Sequence, residues 1–391
     1  MTTQTQSITP AKNALDLLNS VSSSGLRSAE LEEKWSRLAA FLDREKLSAI
    51  LLRRHDNIAW ASAGQIEARV AVLAETGVAS LLLTRDGRKF YLAPNNEAAR
   101  LADEEFPSLP YEPVISPWYE DHSSIASVRR IVGEGAIGTD TASPGFTPVD
   151  IASLRAPLTD AEAARYRWVA QHTAEATAQT LVELEPGMTE YEMSGRIAER
   201  LLSQGILPSV LLMAVDDRIR KYKHAVSRGA VLERYGMLNL CSRKWGLAVS
   251  ITRFVHFGKP TQQLVDGFAA CAEINAQLLH ACRSGVTSAE LFAVAERAYS
   301  ATGYPGEEQL HHQGGTAAYR EREWIATPNG REALTGSEAL AWNCSIRGAK
   351  VEDTALLQNN KIEILTLTRS LPQINTNVEG IAYPAADVLI R

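Results

Sequence analysis

Apolar and polar residues alternate along residues 237–242, which places leucines on one face and polar or sulfur-containing side chains on the other. Such alternation is typical of a half-buried β-strand. Residues 247–254 are rich in β-branched side chains, and a glycine separates the two segments. The pattern predicts an antiparallel hairpin. With a loop at residues 243–246, Asn239 would face Ser250 across the ladder, close enough for the two to share a ligand.

A second stretch follows the same plan. Residues 339–346 and 350–357 are both strand-like, and an Arg-Gly pair at residues 347–348 supplies the turn between them. This register places Asn343 directly opposite Glu352. The chain is therefore predicted to carry two similar hairpins, each with a polar pair at its centre.

The segments before the two hairpins also match. A Thr-x-x-Glu capping box, which marks the start of a helix, stands at residues 189–192 and again at residues 287–290. Each box follows a long helical run, residues 160–184 and residues 264–282, and the first run opens on a box of its own at residues 159–162. Such boxes are common, and the match could be a coincidence. Five matching elements in the same order favour an internal duplication.

The residues before this duplication alternate between helical and strand-like segments. Residues 28–46 predict an amphipathic helix, and residues 78–92 predict a hairpin across an Asp-Gly turn. Proline and glycine around residues 143–157 indicate a linker. The predicted division is a flexible or peripheral arm at residues 1–27, a smaller α/β domain at residues 28–156 and a larger domain at residues 157–391.

Composition narrows the functional classes. The chain has 391 residues, of which 45% are hydrophobic and 22% charged, as expected for a globular protein. A net charge of −6 without a basic stripe argues against nucleic acid as a partner. The four cysteines show no Cys-x-x-Cys spacing, and we find neither a signal-like segment nor an apolar run of about 18 residues that could cross a membrane. The sequence predicts a cytoplasmic protein without a membrane partner.

Several motifs together resemble those of a known family. His312-x-x-Gly315 and Glu352-Asp353-Thr354 stand in the second half, and His224 lies fifteen residues before Asn239. These motifs and the two hairpins resemble the pita-bread family of creatinase, prolidase, aminopeptidase P and methionine aminopeptidase. The resemblance runs from about residue 30 to 360. It implies an α+β fold, in which a pita-bread domain with an internal duplication follows a smaller α/β creatinase-type domain.

The departures from the family pattern concern the metal ligands. The resemblance implies two Asp, one His and two Glu around two divalent metals, and this chain has Asn239, Ser250, His312, Asn343 and Glu352 at those positions. Divalent cations such as Mg²⁺ and Mn²⁺ need anionic oxygen ligands, and one His with one Glu cannot replace the set.

Other residues could in principle restore a ligand. His311 is expected to point to the opposite strand face from its neighbour His312. Asp216 or Asp217 could supply a replacement carboxylate, and Asp353 is a further candidate. On this count of ligands we expect no metal and no other cofactor.

Creatinase is the family precedent for hydrolysis without a metal. The resemblance implies that His224 and Glu352 are catalytic, with His224 as general base and Glu352 orienting a cationic or amide group of the substrate. Basic neighbours of His224 are expected to lower its pKa. Alternatively, Glu352 could simply form a salt bridge with Arg253 or Lys350. The residues expected to line the substrate pocket are His312, Asn239, Asn343, Ser250, Thr252, Arg320, Arg322 and Arg69.

Three further expectations concern arginines and cysteines. Arg320 and Arg322 are predicted to share one strand face, where they could grip a carboxylate, or else to belong to a solvated charged strand. Arg69 lies near the position from which creatinase supplies an arginine across its dimer interface. Cys241 and Cys344 could act as nucleophiles beside His224, although small buried cysteines are commoner.

The leading hypothesis is therefore a metal-independent, creatinase-like hydrolase that cleaves a C–N bond in a small molecule or short peptide. A second hypothesis is a non-catalytic binding or scaffold protein that kept the pita-bread fold. A third is an Xaa-Pro aminopeptidase or dipeptidase with an atypical metal site. The resemblance also implies a homodimer.

Overall fold

The computed structural model describes residues 24–391. The first part of the chain is built around a mixed sheet. The sheet has six strands in the order β4-β3-β2-β1-β5-β6, with helices around it. The elements of this first part are α1 (Ser24–Arg44), β1 (Ala49–Arg54), α2 (His55–Ala61), β2 (Thr76–Thr84), β3 (Lys89–Pro94), α3 (Ala98–Arg100), a π-helical turn (Leu101–Glu105), β4 (Glu112–Ser116), α4 (Ile125–Val132), β5 (Ile137–Thr139), β6 (Thr147–Pro148) and α5 (Ala152–Arg155).

The second part is built from two related units. The first unit contains α6 (Asp160–Val182), α7 (Glu190–Leu202), β7 (Leu207–Val215), α8 (Asp217–Lys221), β8 (Tyr235–Lys244) and β9 (Leu247–His256). The second contains α9 (Gln262–Ala281), α10 (Ser288–Ala301), a 3₁₀ turn (Glu307–Gln309), β10 (Gly314–Ala317), β11 (Trp324–Ile325), β12 (Ser337–Ile346) and β13 (Ala349–Gln358). Four strands follow it: β14 (Lys361–Ile364), β15 (Gln373–Val378), β16 (Ile381–Ala386) and β17 (Leu389–Ile390).

Capping boxes start the helices where the sequence predicts them. Thr159, Thr189 and Thr287 each accept a hydrogen bond from the backbone N–H three residues on, and the glutamate at that position bonds back to the threonine backbone. Two backbone donors that the helix leaves free are thereby satisfied at each start. The same threonines of α7 and α10 also form matching β-bridges, to Val231 and to Ala333. The predicted duplication is therefore confirmed in the order and the local bonding of its elements.

The second hairpin has the predicted register, and the first does not. Asn343 faces Glu352 as predicted. In the first hairpin the turn contains only Trp245 and Gly246, both with positive φ, whereas we predicted a four-residue loop. Two residues with positive φ form a type I′ turn, whose twist suits a two-residue hairpin. The shorter turn shifts the ladder by two residues, so Asn239 faces Thr252 and not Ser250.

The apolar faces of the two hairpins pack away from each other. Leu238 and Leu240 of β8 join a core with α6, and Leu340 and Trp342 of β12 join a second core with α9. The polar faces therefore meet. Thr354 ties them together, since its hydroxyl accepts from the Ser250 N–H at 2.9 Å and donates to the Ser250 carbonyl at 2.9 Å.

The predicted elements of the first part are present with small shifts of their ends, and the predicted helix at residues 28–46 is α1. Of the predicted arm, residues 1–23 lie outside the described part of the chain, and residues 24–27 begin α1. The boundary near residue 156 stays a prediction; the buried Arg155 crosses it to pair with Glu323. Within residues 24–391, no helix combines the length and the apolar character needed to cross a membrane.

Candidate functional site

Glu352 lies at the centre of the polar space between the hairpins. Its carboxylate is almost fully buried, with 5% of the residue exposed. Arg322 Nη2 lies 2.9 Å from Oε1, and Lys350 Nζ lies 2.9 Å from Oε2. The Thr252 hydroxyl donates to Oε2 at 2.7 Å, and Asn239 Nδ2 reaches the same oxygen at 3.4 Å. The carboxylate is therefore paired with two cations and bonded from both hairpins.

This bonding sets the charge of Glu352. Burial alone would raise the pKa of the carboxyl, but the charges of Lys350 and Arg322 and the Thr252 hydrogen bond outweigh it and lower the pKa to about 2. The salt bridge predicted with Lys350 is present. The alternative partner, Arg253, binds Asp353 at 2.6 Å instead.

Asp353 cannot join the site, because neighbouring residues of a strand point to opposite faces. Glu352 faces the polar space, and Asp353 is buried on the other side of β13 with Thr366 and Arg253. Asp216 does not replace a lost carboxylate either, since its oxygens accept from the backbone N–H groups of residues 233–235 at 2.9 to 3.0 Å. In the part of the chain that the structure describes, Glu352 is the carboxylate that the two hairpins direct into this space.

Three histidines form the outer wall of the site. His224 Nε2 lies 3.0 Å from His311 Nε2, and the ring of His311 stacks on that of His312 with centroids 4.5 Å apart. A ring nitrogen from each of the three lies within 4.8 Å of the others. We expected His311 to point away from His312. That expectation was wrong because both residues precede β10 and lie in irregular backbone, where strand alternation does not apply.

All three imidazoles are shifted toward the neutral form. Partial burial, then the Lys350 charge, lowers the pKa of His224, while Glu352 acts in the opposite direction. Burial and the same lysine lower the pKa of His311 to about 3. Burial and the Arg322 guanidinium lower the pKa of His312 to about 4. The predicted direction for His224 is confirmed, but the causes are burial and Lys350 and not the basic run before it.

Asn343 faces Glu352 across the ladder and contacts the histidines. Its Nδ2 lies 2.8 Å from His311 Nδ1 and 3.3 Å from the His312 carbonyl. The residue is 1% exposed, and its Oδ1 has no hydrogen-bond partner among residues 24–391. Ser250 lies on the other side, with its hydroxyl 2.8 Å from Arg322 Nη1 and 3.2 Å from Cys241 Sγ. The two hairpins thus bring together the neutral residues that the sequence indicated.

The arginines do not lie as predicted. Residues 319–323 form a loop and not a strand, so Arg320 and Arg322 do not share a strand face. Arg322 enters the site, whereas Arg320 turns to the first part of the chain and pairs with Asp56. Arg69 bonds within its own loop, to Glu67 at 2.7 Å and to the Val72 carbonyl at 3.2 Å. Its contact across a dimer stays a prediction.

The cysteines are poorly suited to act as nucleophiles. Burial raises the pKa of Cys241 to about 11, and it raises the pKa of Cys344 well above its usual value. Because the thiolate is the reactive form, both thiols are expected to be inert near neutral pH.

The residues present do not fit a pair of divalent metals. Glu352 is the one carboxylate in the ligand positions, and it is already bound to Lys350 and Arg322. The three histidines are close enough to hold a single cation such as Zn²⁺. The charges of Lys350 and Arg322, which after burial contribute to the lowered pKa values of His224 and His312, oppose that cation.

Two members of the site were missed from the sequence. His311 was set aside by the strand argument, and Lys350 was considered only as a structural partner. A signal for Lys350 was available, because it stands two residues before Glu352 on the same strand face. No comparable signal existed for His311, whose direction depends on the backbone before β10.

Comparisons with known proteins agree with the fold. Residues 164–357 match the model of metallopeptidase family M24. An uncharacterized peptidase of Staphylococcus aureus (strain MW2) is 21% identical over 314 residues, which cover 73% of this chain and 87% of that protein.

Two solved structures show the same fold. An Xaa-Pro dipeptidase from Bacillus anthracis superimposes with a TM-score of 0.70 and 18% identity, covering 92% of this chain and 100% of that one. The N-terminal domain of FACT complex subunit SPT16 from Cicer arietinum gives 0.63 and 12%, covering 86% and 96%. The pita-bread fold predicted from the sequence is confirmed, and residues 164–357 belong to metallopeptidase family M24.

Proposed function

We propose that this chain is a metal-independent, creatinase-like hydrolase that cleaves a C–N bond in a small molecule or short peptide. The carrying observation is the neutral, solvent-exposed imidazole of His224, which lies 3.0 Å from His311 and near the cation Lys350. A neutral imidazole can accept a proton from water, which is the first requirement of a general base.

The reaction can be written with the groups of the chain alone. A water molecule attacks the carbon of the C–N bond and transfers a proton to the free ring nitrogen of His224. The C–N bond then breaks, and the leaving nitrogen takes up that proton. His224 itself returns the proton to the leaving nitrogen, and His311, whose Nε2 lies 3.0 Å from Nε2 of His224, holds that imidazole in position.

Charge that develops on the attacked group needs a donor. The Lys350 ammonium has three N–H groups. It pairs with Glu352 at 2.9 Å, and its remaining N–H groups can donate to a substrate oxygen or nitrogen. This assignment changes the role first given to Glu352. Its oxygens are already occupied by Arg322, Thr252 and Lys350, so it holds the two cations in place and does not clamp a cationic substrate.

Replacement of the base tests the proposal. The protein should be treated with a chelator and assayed against Xaa-Pro dipeptides, N-carbamoyl compounds and amidino compounds such as creatine. For a substrate that is turned over, we expect His224→Ala to lower kcat by roughly 10²- to 10⁴-fold, as loss of a general base does. His256→Ala is the matched control, because His256 is a partly exposed histidine on β9 that bonds to the Gly258 carbonyl.

Unchanged turnover in His224→Ala would remove the assigned base and overturn the proposal. Loss of turnover in the chelated wild type, restored by a metal, would favour the Xaa-Pro peptidase hypothesis instead. A homodimer and a cytoplasmic location remain predictions from the sequence.

A second candidate function is non-catalytic binding. The observation that favours it is the inner half of the site, where the buried Glu352 carboxylate is already paired with Arg322 and Lys350 of the chain itself. This function predicts saturable ligand binding without turnover, in wild type and in His224→Ala alike.

A further inference from the structure

The loop that carries His224 has few polar contacts with the rest of the chain. It follows α8, its backbone is irregular, and His224 itself is exposed. Within residues 24–391, the hydrogen bonds that lead from residues 222–225 to distant segments start from the side chains of Lys223 and His224. Ala225 adds an apolar contact with the second core. Lys223 is therefore the polar anchor of this loop.

The ammonium of Lys223 is fully provided with acceptors. Its Nζ lies 3.1 Å from Glu307 Oε2, 3.1 Å from the Ser345 carbonyl oxygen and 3.4 Å from Ser345 Oγ. These three acceptors match the three N–H groups of an ammonium. The pair with Glu307 is also partly buried, with 22% and 17% of the two side chains exposed. It is therefore less screened than an ordinary surface salt bridge, and the extra acceptors fix its geometry.

The acceptors lie beside members of the candidate site. Glu307 stands four residues before His311, and Ser345 shares a face of β12 with Asn343. Further inward the same segments meet again, because His224 Nε2 lies 3.0 Å from His311 Nε2 and Asn343 Nδ2 lies 2.8 Å from His311 Nδ1. Three segments are thus joined in two layers. The inner layer is made by the side chains of the site, and the outer layer is made by the lysine ammonium.

We propose that Lys223 is a positioning residue that holds the imidazole of His224 against His311. The contact between two neutral imidazoles in a partly exposed place contributes only modestly, since water competes for both ring nitrogens. The outer layer supplies a charged bond that water replaces less easily. The consequence for catalysis rests on the proposed function, because a displaced general base loses its reach to the reacting water.

Arg347 provides a matched comparison. Its Nε lies 3.5 Å from Glu307 Oε1, so the same carboxylate pairs with a second cation. Arg347 belongs to the turn of the second hairpin and is 75% exposed. Arg347→Met therefore removes a cation from Glu307 without touching the loop of His224. Lys223→Met removes the other cation together with the anchor of that loop.

Nuclear magnetic resonance on protein with isotope-labelled histidine tests the position without turnover. The rings of His224 and His311 have centroids 4.6 Å apart, so we expect a nuclear Overhauser cross-peak between them in wild type. His224→Ala assigns that cross-peak. We expect Lys223→Met to lose it, and Lys223→Arg, which keeps the charge and several donors, to retain it. Arg347→Met should retain it as well.

Kinetics measure the consequence for a substrate that is turned over. Because the base acts in the transition state, we expect Lys223→Met to lower kcat by about 10- to 100-fold with KM nearly unchanged. Lys223→Arg should recover most of the loss. An equal loss in Arg347→Met would attribute the effect to the charge balance at Glu307 and overturn the positioning role.

Glu307→Gln provides a second variant in case Lys223→Met does not fold, and it should lose the same cross-peak because it breaks the pair from the other side. A cross-peak that persists in both variants would overturn the positioning role, whether or not the protein is a hydrolase. Absence of the cross-peak from wild type would overturn it as well. A cross-peak that depends on Lys223 in a protein without any turnover would leave the positioning role standing and count against the hydrolase alone.

Discussion

The two hairpins share a backbone plan and differ in charge. Both have strands of ten residues joined by a two-residue turn. Counted outward from the turn, the pair in the first hairpin that corresponds to Asn343–Glu352 is Cys241–Ser250. At this pair and at the neighbouring pair Asn239–Thr252, the first hairpin therefore carries only neutral side chains. The negative charge of the site, and Lys350 beside it, come from the second hairpin.

This difference shows which features of the sequence maintain the fold and which determine the chemistry. Register depends on the alternating apolar residues and on the turn, and both hairpins keep these. The polar positions along the ladder carry no such constraint, so they can change from acidic to neutral without disturbing the strands. A family fold therefore persists in this chain although the residues around its centre no longer match a metal site.

The largest effect is expected from removing the charge of the second hairpin. Glu352→Gln leaves Lys350 and Arg322 buried beside a neutral amide, so we expect the free energy of unfolding to fall by about 3–5 kcal/mol, the usual cost of breaking a buried pair. Chemical denaturation at pH 7 measures it. In the first hairpin, Thr252→Val removes only a hydrogen bond and should cost about 1 kcal/mol.

Acid should remove this difference. Because the pKa of Glu352 is lowered in the folded state, its stabilising contribution is present above the unfolded value of about 4.3 and is lost as the pH falls toward 2. The stabilities of wild type and Glu352→Gln should therefore converge between these values. If Glu352→Gln lowers the free energy of unfolding by less than about 1 kcal/mol at pH 7, the carboxylate contributes no more than an ordinary hydrogen bond. That result would contradict its central role.

A smaller effect separates the two turns. Both turn glycines have positive φ, 80° at Gly246 and 91° at Gly348, where an alanine is strained by roughly 1 kcal/mol. A Cβ at Gly246 would also lie 2.5 Å from the Ala59 Cβ and 2.7 Å from Tyr319, whereas at Gly348 its nearest neighbour is the flexible Arg220 side chain at 3.2 Å. We expect Gly246→Ala to cost about 2–4 kcal/mol and Gly348→Ala about 1 kcal/mol.

Thermal and chemical unfolding of Gly246→Ala and Gly348→Ala measure the two losses in the free energy of unfolding. Equal costs would show that the contact between the first turn and helix α2 relaxes freely. The packing of the first turn would then contribute no more to the stability of the fold than that of the second.

Much of the fold could be predicted because its signals are local. The capping boxes at Thr189 and Thr287 and the turn at residues 347–348 depend on a few neighbouring residues. The first turn was mispredicted because Trp245 adopts a positive φ that its residue type does not suggest, and its packing against the rest of the chain decides the loop length.

The site was harder to predict because its geometry comes from distant segments. The strand pattern placed Asn343 opposite Glu352, and the family resemblance indicated Asn239 and Thr252; the structure brings all four together. The meeting of His224 with His311 depends on two irregular segments, and Arg322 reaches Glu352 from a loop. Alternation has no meaning in such backbone, so sequence patterns could not give these directions.

The smallest expected effect concerns metals, and it tests the comparison from the opposite side. A metal that binds only the folded protein must raise its stability, by about 2.7 kcal/mol at a concentration one hundred times its dissociation constant. With Glu352 held by two cations and neutral residues in the first hairpin, we expect Mn²⁺ and Co²⁺ to leave the unfolding midpoint unchanged.

Zn²⁺ is the discriminating ion, since it accepts imidazole ligands and needs no carboxylate. Stabilisation by one Zn²⁺ per chain, lost in His311→Ala and retained in His256→Ala, would make His224 a ligand and no longer a free base. The three histidines would then form a metal site, and the charge difference between the two hairpins would affect only the stability of the fold.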